Sequence, residues 1–299
     1  MSLAARLRTY QAERFPLVRN LPLLAVFAGA SLSVSATLAG RPLPGPGAFL
    51  AAFGLAAILF FQMRAADEWK DREIDRRHRP ERPIPRGLVS LRLILGIALA
   101  LCLPAAVLAW GAGVGWLLAA VWLWLAAMTA EFGARAWLTA RPVLYLVSHM
   151  AILPLIDLML TGVEWAGHGP APALWWFLAL SFANGCVLEI GRKCWAPASE
   201  RHGVESYSRL WGPAGAASAW LGCVALAAAL LTGLGTALGL PWSLGALAAA
   251  GTLAAAALAR HFGRAPTPAG ERRIDAASGL WVLACYAAAG AFPLIGDLP

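Results

Sequence analysis

Nine apolar stretches, each close to the length needed to cross a bilayer, dominate this chain of 299 residues. They run approximately over Leu21–Gly40, Pro46–Ala66, Val89–Gly111, Val114–Thr129, Pro142–Thr161, Pro172–Ile190, Ala214–Gly235, Pro241–Ala259 and Ala277–Gly296. A hydrocarbon core of roughly 30 Å takes about 20 helical residues, and lipid offers no partner to an open backbone amide, so runs of this length are helices. With 60% apolar residues, 13% charged residues and a mean hydropathy of +0.65, the expected fold class is all-α. The chain reads as a polytopic membrane protein of nine transmembrane helices around a central cavity, in one domain over residues 1–299. Little more than Gly111-Ala112-Gly113 separates the third and fourth stretches, which predicts a tight hairpin.

The charges give an orientation. If the N-terminus is cytoplasmic, the inner segments hold 23 of the 24 Lys and Arg and only Arg41 lies outside, as the positive-inside rule requires. Arg6, Arg8, Arg14 and Arg19 precede the first stretch without a small-residue cleavage site, so it reads as a true span. The expected location is a bacterial-type inner membrane, with the N-terminus and the charged loops cytoplasmic. Topology explains the net charge of +8, and no nucleic-acid partner is expected. The five cysteines show no CxxC spacing and suggest neither zinc nor disulfides.

Directly after the second stretch, residues 67–75 read Asp-Glu-Trp-Lys-Asp-Arg-Glu-Ile-Asp. On a helix Asp67, Asp71 and Asp75 drift only about 40° per step of four, so they point toward one space at the membrane boundary. Acids so placed suit Mg²⁺, which takes a few carboxylates together with waters and substrate phosphates. Arg76 to Gly87 follow, with three prolines that forbid a continuous helix and several guanidinium groups that suit phosphate oxygens. Metal-bearing acids and arginines would then hold one diphosphate from two sides.

These residues resemble the UbiA-type intramembrane prenyltransferases, whose signature NDxxDxxxD is similar to residues 67–75 and whose trailing RPxRPIPxG is similar to residues 79–87. By that resemblance Asp67 stands for the family's Asn, Glu68 for its first Asp, and Asp71 and Asp75 for the next two, implying Asp67, Glu68, Asp71 and Asp75 as Mg²⁺ ligands. The family's second motif, DxxxD, falls where Glu189 is followed by Arg192 and Lys193. One acid is thus replaced by a cation that can meet a diphosphate directly, Glu189 can pair with Lys193 when no ligand is bound, and Glu200 is a candidate substitute ligand.

A third polar set lies between the motifs. Glu131 and Arg135, four apart, read as a surface ion pair, while Phe132 stands near a position where the family has Tyr. Arg135 or Arg141 would supply the cation that accompanies that Tyr. His149 and Asp157, eight apart within the fifth stretch, share a helix face, and an ionisable group in a span is a functional candidate. Trp116, Trp122, Trp124, Trp175 and Trp176 read as interfacial belt residues rather than as the site.

The implied activity is Mg²⁺-dependent transfer of an isoprenyl group from an isoprenyl diphosphate to an aromatic or lipid-like acceptor. Arg79, Arg82, Arg192 and Lys193 would bind the diphosphate, His149, Arg135 and Arg141 would line the acceptor cavity, and Asp157 and Glu189 would orient the acceptor or take its proton. Expected partners are the isoprenyl diphosphate donor, a hydrophobic acceptor and membrane lipid. A terpene cyclase of the same superfamily and a non-catalytic isoprenoid-binding membrane protein are the alternatives.

Overall fold

In the computed structural model, which describes residues 1–296, every regular element is helical. A short N-terminal helix, α1 (Leu3–Arg14), precedes α2 (Leu17–Leu38), α3 (Pro46–Lys70), the brief α4 (Arg72–His78), α5 (Leu91–Ala100) and α6 (Cys102–Gly111). Then come α7 (Gly115–Thr129), a single turn at Glu131–Gly133, α8 (Arg135–Thr139), α9 (Pro142–Met150) and α10 (Ile152–Trp165). The chain continues through α11 (Leu174–Gly191), α12 (Tyr207–Ala237), α13 (Pro241–Arg264) and α14 (Pro268–Gly296). Proline opens α3, α9 and α13, where its missing N–H would have no partner in any case.

Proline also explains the interruptions inside spans. The α5–α6 break at Leu101 falls three residues before Pro104, and the α9–α10 break at Ala151 three residues before Pro154. In both, the ring clashes with the preceding turn and removes a hydrogen bond, but φ and ψ stay near helical values, so each pair continues in one direction. A sharper kink comes at Gly212, φ 72°, just before Pro213 within α12.

Eight helical runs among the described residues are long and apolar enough to cross a membrane, counting α5–α6 and α9–α10 as one each. The ninth expected span, α7, has only 15 residues, about 22 Å of helix against a core of roughly 30 Å. The hairpin before it forms as expected, turning at Gly113 with φ 76°. Its other end stops at Thr129, as expected, and Glu131 and Phe132 just beyond both take φ 52°, a left-handed turn that no helix continues through.

Successive spans pack as neighbours, and α14 returns to α2 to close a ring. That closure is tight: a Cβ on Gly290 would lie 2.7 Å from the Cα of Ala30, a backbone approach only a small residue allows. Inside the same junction Asp157, 0% exposed, accepts hydrogen bonds from Ser31 Oγ at 2.7 Å and Tyr286 Oη at 2.6 Å. This corrects the expectation that Asp157 handles the acceptor: both its oxygens accept hydrogen bonds that tie α2 and α14 to α10, and it is fully buried.

After the C-terminal end of α2, Arg41 grips Glu164 through Nε at 2.5 Å and a terminal nitrogen at 2.9 Å, while Ser35 Oγ donates at 2.6 Å. The Glu164 side chain is only 4% exposed. Arg41→Ala should destabilise the protein by about 3 kcal/mol, because a buried carboxylate loses its counter-charge. The check is the thermal midpoint in detergent, with Arg41→Ala/Glu164→Gln expected to recover most of the loss.

Candidate active site

The C-terminal end of α3 arranges the first motif. Asp71 caps α3 at its C-terminus and precedes α4, so the acids straddle a helix junction rather than one smooth helix. At about 100° per residue they fan around the axis. Glu68 turns to α1, where its carboxylate accepts from Arg14 Nε at 2.6 Å. Asp75 is buried and held by Arg82 at 2.5 Å and Arg79 at 3.5 Å. Asp67 and Asp71, four residues apart, share the neighbouring face. Asp67 has one weak contact, to Arg64 at 3.5 Å, and among the described residues the Asp71 side chain has no hydrogen-bond or ion-pair partner. Burial, then the charge of Asp67, pushes the Asp71 carboxyl above its ordinary range, with Asp75 adding to the rise and Lys70 and Lys193 opposing it.

Opposite stands the C-terminal end of α11. Glu189, its side chain 8% exposed, is clamped by Arg192 and by Lys193 at 2.8 Å. The Arg192 side chain remains 52% exposed and that of Lys193 33%, so both keep donors free for a ligand. Glu189 and, further off, Asp67 raise the Arg192 guanidinium above its usual value, while burial opposes them. The two motifs therefore face each other across a gap with carboxylates on one wall and cations on the other.

The loops that follow the motifs also meet. Arg201 donates to Glu81 at 3.2 Å, and the His78 and His202 rings lie 5.9 Å apart. Gly203, φ 74°, is required twice: a Cβ would fall 2.3 Å from His78 Nε2, and the backbone is left-handed. Glu200 accepts from Ser206 Oγ at 2.5 Å, so it serves the start of α12 rather than completing a ligand set.

Beside this gap lies a third cluster. Lys70 Nζ donates to Tyr145 Oη at 2.5 Å, approaches His149 Nε2 at 3.1 Å and pairs with Glu131 at 3.1 Å. The Tyr145 and His149 rings stack at 3.9 Å. The left-handed backbone at Glu131 and Phe132, worth about 1–3 kcal/mol of strain for each residue, turns Glu131 inward to this cluster. Burial alone would raise the Glu131 carboxyl; the adjoining His149 and the Lys70 charge hold it down at about 2.

A family model described as the UbiA prenyltransferase family matches residues 23–274. The chain belongs to this family. Two solved structures share its fold: a UbiA homolog from Aeropyrum pernix K1, with a TM-score of 0.67 and 18% identity, covers 92% of this chain and 98% of its own. A digeranylgeranylglyceryl phosphate synthase in membranes, with a TM-score of 0.61 and 17% identity, covers 96% of this chain and 99% of its own. Among curated proteins, the digeranylgeranylglyceryl phosphate synthase of Halobacterium salinarum is 38% identical over 88 residues. That match takes in 29% of this chain and 32% of the relative, about a third of its length.

Against the UbiA motifs, the structure redistributes several expected roles. Glu68 and Asp75 are taken up by arginines, and among the described residues no group of three or more His, Cys, Asp or Glu side chains forms a ready metal cage. Arg79 and Arg82 hold Asp75, which fixes the proline-rich loop instead of leaving both guanidinium groups free for phosphate. Arg135 and Arg141 are exposed, and Arg141 lies 4.4 Å over the Trp137 ring, so neither lines an acceptor cavity. Glu131 takes Lys70 as its partner rather than Arg135, because the left-handed turn breaks the i, i+4 relation between them. His149 does reach the cluster.

Lys70, Tyr145 and Arg14 are the residues sequence reasoning missed. A lysine set among acids, and a Tyr one helical turn before His149, were the available signals.

Trp116 and Trp175 are more than half exposed, in keeping with lipid-facing positions. Trp122 and Trp124 instead donate inward, to Gln62 at 3.0 Å and the Ser148 carbonyl at 3.1 Å. An apolar groove of about 300 Å³ between α1, α2, α3 and α5 is lined by Tyr10, Phe15, Leu21, Ile58, Phe61 and Ile97.

Proposed function

We propose that this UbiA family protein is a Mg²⁺-dependent intramembrane prenyltransferase that moves an isoprenyl group from an isoprenyl diphosphate to a hydrophobic acceptor, with its polar site on the cytoplasmic side. The observation that carries the reading is Asp71: a part-buried carboxylate without a partner, opposite Arg192 and Lys193, needs a cation of its own. The donor set fits Mg²⁺, which binds through one or two carboxylates and substrate phosphates rather than an all-protein cage. Asp67 and Asp71 would hold it. When bound, Mg²⁺ supplies positive charge that stabilises a departing diphosphate.

The chain's own residues do the rest. Arg14 on Glu68, and Arg79 with Arg82 on Asp75, hold the turns on either side of Asp71 in place. Arg192 and Lys193 offer donors to the diphosphate and take up its growing charge as the C1–O bond breaks. The joined loops at Arg201–Glu81 and Gly203–His78 cover the gap and limit the entry of water, which would quench an allylic cation.

The test is diphosphate release by the purified protein in detergent, with Mg²⁺ and isoprenyl diphosphates of several lengths, with and without hydrophobic acceptors. Release that needs both acceptor and Mg²⁺, and stops with chelator, is expected. Release without any acceptor, accompanied by a hydrocarbon product, would instead indicate a cyclase, and no release with any donor would leave the non-catalytic binder.

A further inference from the structure

The cluster between α3, α7 and α9 is not used by the donor chemistry above. Its charges cancel: Lys70 is matched by Glu131 at 3.1 Å, and the other members are Tyr145 and His149. Glu131 is 5% exposed, yet its Oε2 has no hydrogen-bond partner. His149 Nε2 lies 3.4 Å away without hydrogen-bond geometry, and the tautomer agrees with this. His149 Nδ1 lies 2.9 Å from the Tyr145 carbonyl, so Nδ1 carries the proton and Nε2 holds a lone pair, which faces Lys70. Glu131 Oε2 is thus a buried acceptor waiting for an O–H or N–H from outside the protein. On the apolar side Phe132 packs 6.1 Å from His149 and 5.4 Å from Trp124, an aromatic wall suited to a hydrophobic body.

We propose that Lys70, Glu131, Tyr145 and His149 form the acceptor site, and that it takes an uncharged, hydroxyl-bearing hydrophobic acceptor whose O–H is donated to Glu131 Oε2. This rests on the transfer reading above. An acceptor with its own carboxylate or phosphate would meet Glu131 with no free cation to offset it, since Lys70 is already paired. In the reaction the C1–O bond of the donor breaks and its electron pair leaves with the diphosphate. The acceptor oxygen forms the new bond to C1, its O–H bond breaks, and the proton passes to Glu131. Once bonded to C1 that oxygen is positively charged and strongly acidic, so even a carboxylate held at a low value accepts the proton.

The experiment compares wild type with Glu131→Gln in detergent, using isoprenyl diphosphate, Mg²⁺ and paired acceptors: a long-chain phenol or alcohol, and the same skeleton bearing a carboxylate. Wild type should use the uncharged member. Glu131→Gln should lower kcat for it by about a hundredfold or more, the usual scale for a lost proton acceptor, with the donor KM unchanged. It should also bind the carboxylate-bearing member at least tenfold more tightly than wild type does, since Lys70 is released. A misfolded variant could not show that gain. Unchanged kcat in Glu131→Gln, a wild-type preference for the anionic acceptor, or a donor KM that rises with the loss of kcat would each overturn the proposal. Diphosphate release that no acceptor accelerates would overturn the acceptor site and leave donor activation standing. Absence of release with every donor would remove the transfer reading itself, and this site with it.

Discussion

Asp71→Asn is expected to lower kcat/KM for isoprenyl transfer by about a thousandfold, while leaving the folded protein as stable as wild type or more so. The activity loss follows from removing a metal-binding carboxylate, worth several kcal/mol of charge stabilisation as the diphosphate departs, where each 1.36 kcal/mol is tenfold in rate. The stability gain follows from the same residue's isolation. Its carboxyl lies above its ordinary range because of burial and Asp67, so folding favours the protonated form and the charged form opposes folding. That penalty is present above the raised value and disappears as pH falls through it. In chelator at neutral pH the variant should therefore melt at or above the wild-type temperature. Lowering the pH should narrow the difference. Mg²⁺ should raise the wild-type midpoint and move that of Asp71→Asn much less. A variant that melts well below wild type in chelator would show that Asp71 holds the fold together, contrary to its unpartnered position.

The contrast between Asp71 and its neighbours explains what could be read beforehand. Lipid allows one backbone solution for a long apolar run, so the spans and the Gly113 hairpin were legible. The end of the fourth stretch at Thr129 was legible as well, and α7 stops there. The left-handed turn at Glu131 and Phe132 that follows it, and turns Glu131 inward, was not. The first motif was legible as a linear pattern, but its geometry was not, because the partners that sort its acids come from far along the chain. Arg14 lies 54 residues before Glu68, and Tyr145 lies 75 after Lys70. Asp157 shows the reverse case: its depth in a span marked it as exceptional, while Ser31 and Tyr286, which satisfy it, lie 126 and 129 residues away.

Glu189 and its two cations give the largest expected effect on stability. Lys193→Ala alone leaves Arg192 to balance the buried carboxylate and should be mild. Arg192→Ala/Lys193→Ala leaves a side chain only 8% exposed carrying an unpaired charge, and should destabilise the protein by about 3–5 kcal/mol, seen as a collapse of the thermal midpoint in detergent. Adding Glu189→Gln to that pair should restore much of the midpoint without restoring activity, since the diphosphate would still lack its donors. Glu189→Gln by itself separates two roles for this residue. In the ligand-free protein Glu189 competes with diphosphate for Arg192 and Lys193, through contacts of the charge-assisted kind worth about 1.5–3 kcal/mol each. Removing the competitor should therefore tighten binding of inorganic pyrophosphate about tenfold or more in the presence of chelator, measurable by calorimetry. If Glu189 instead acts as the proton acceptor, pyrophosphate affinity would stay put and kcat alone would fall. Tighter binding, unassisted by metal, would mean that in this protein lysine and arginine at the second motif do part of the work that the family's second acid assigns to a cation.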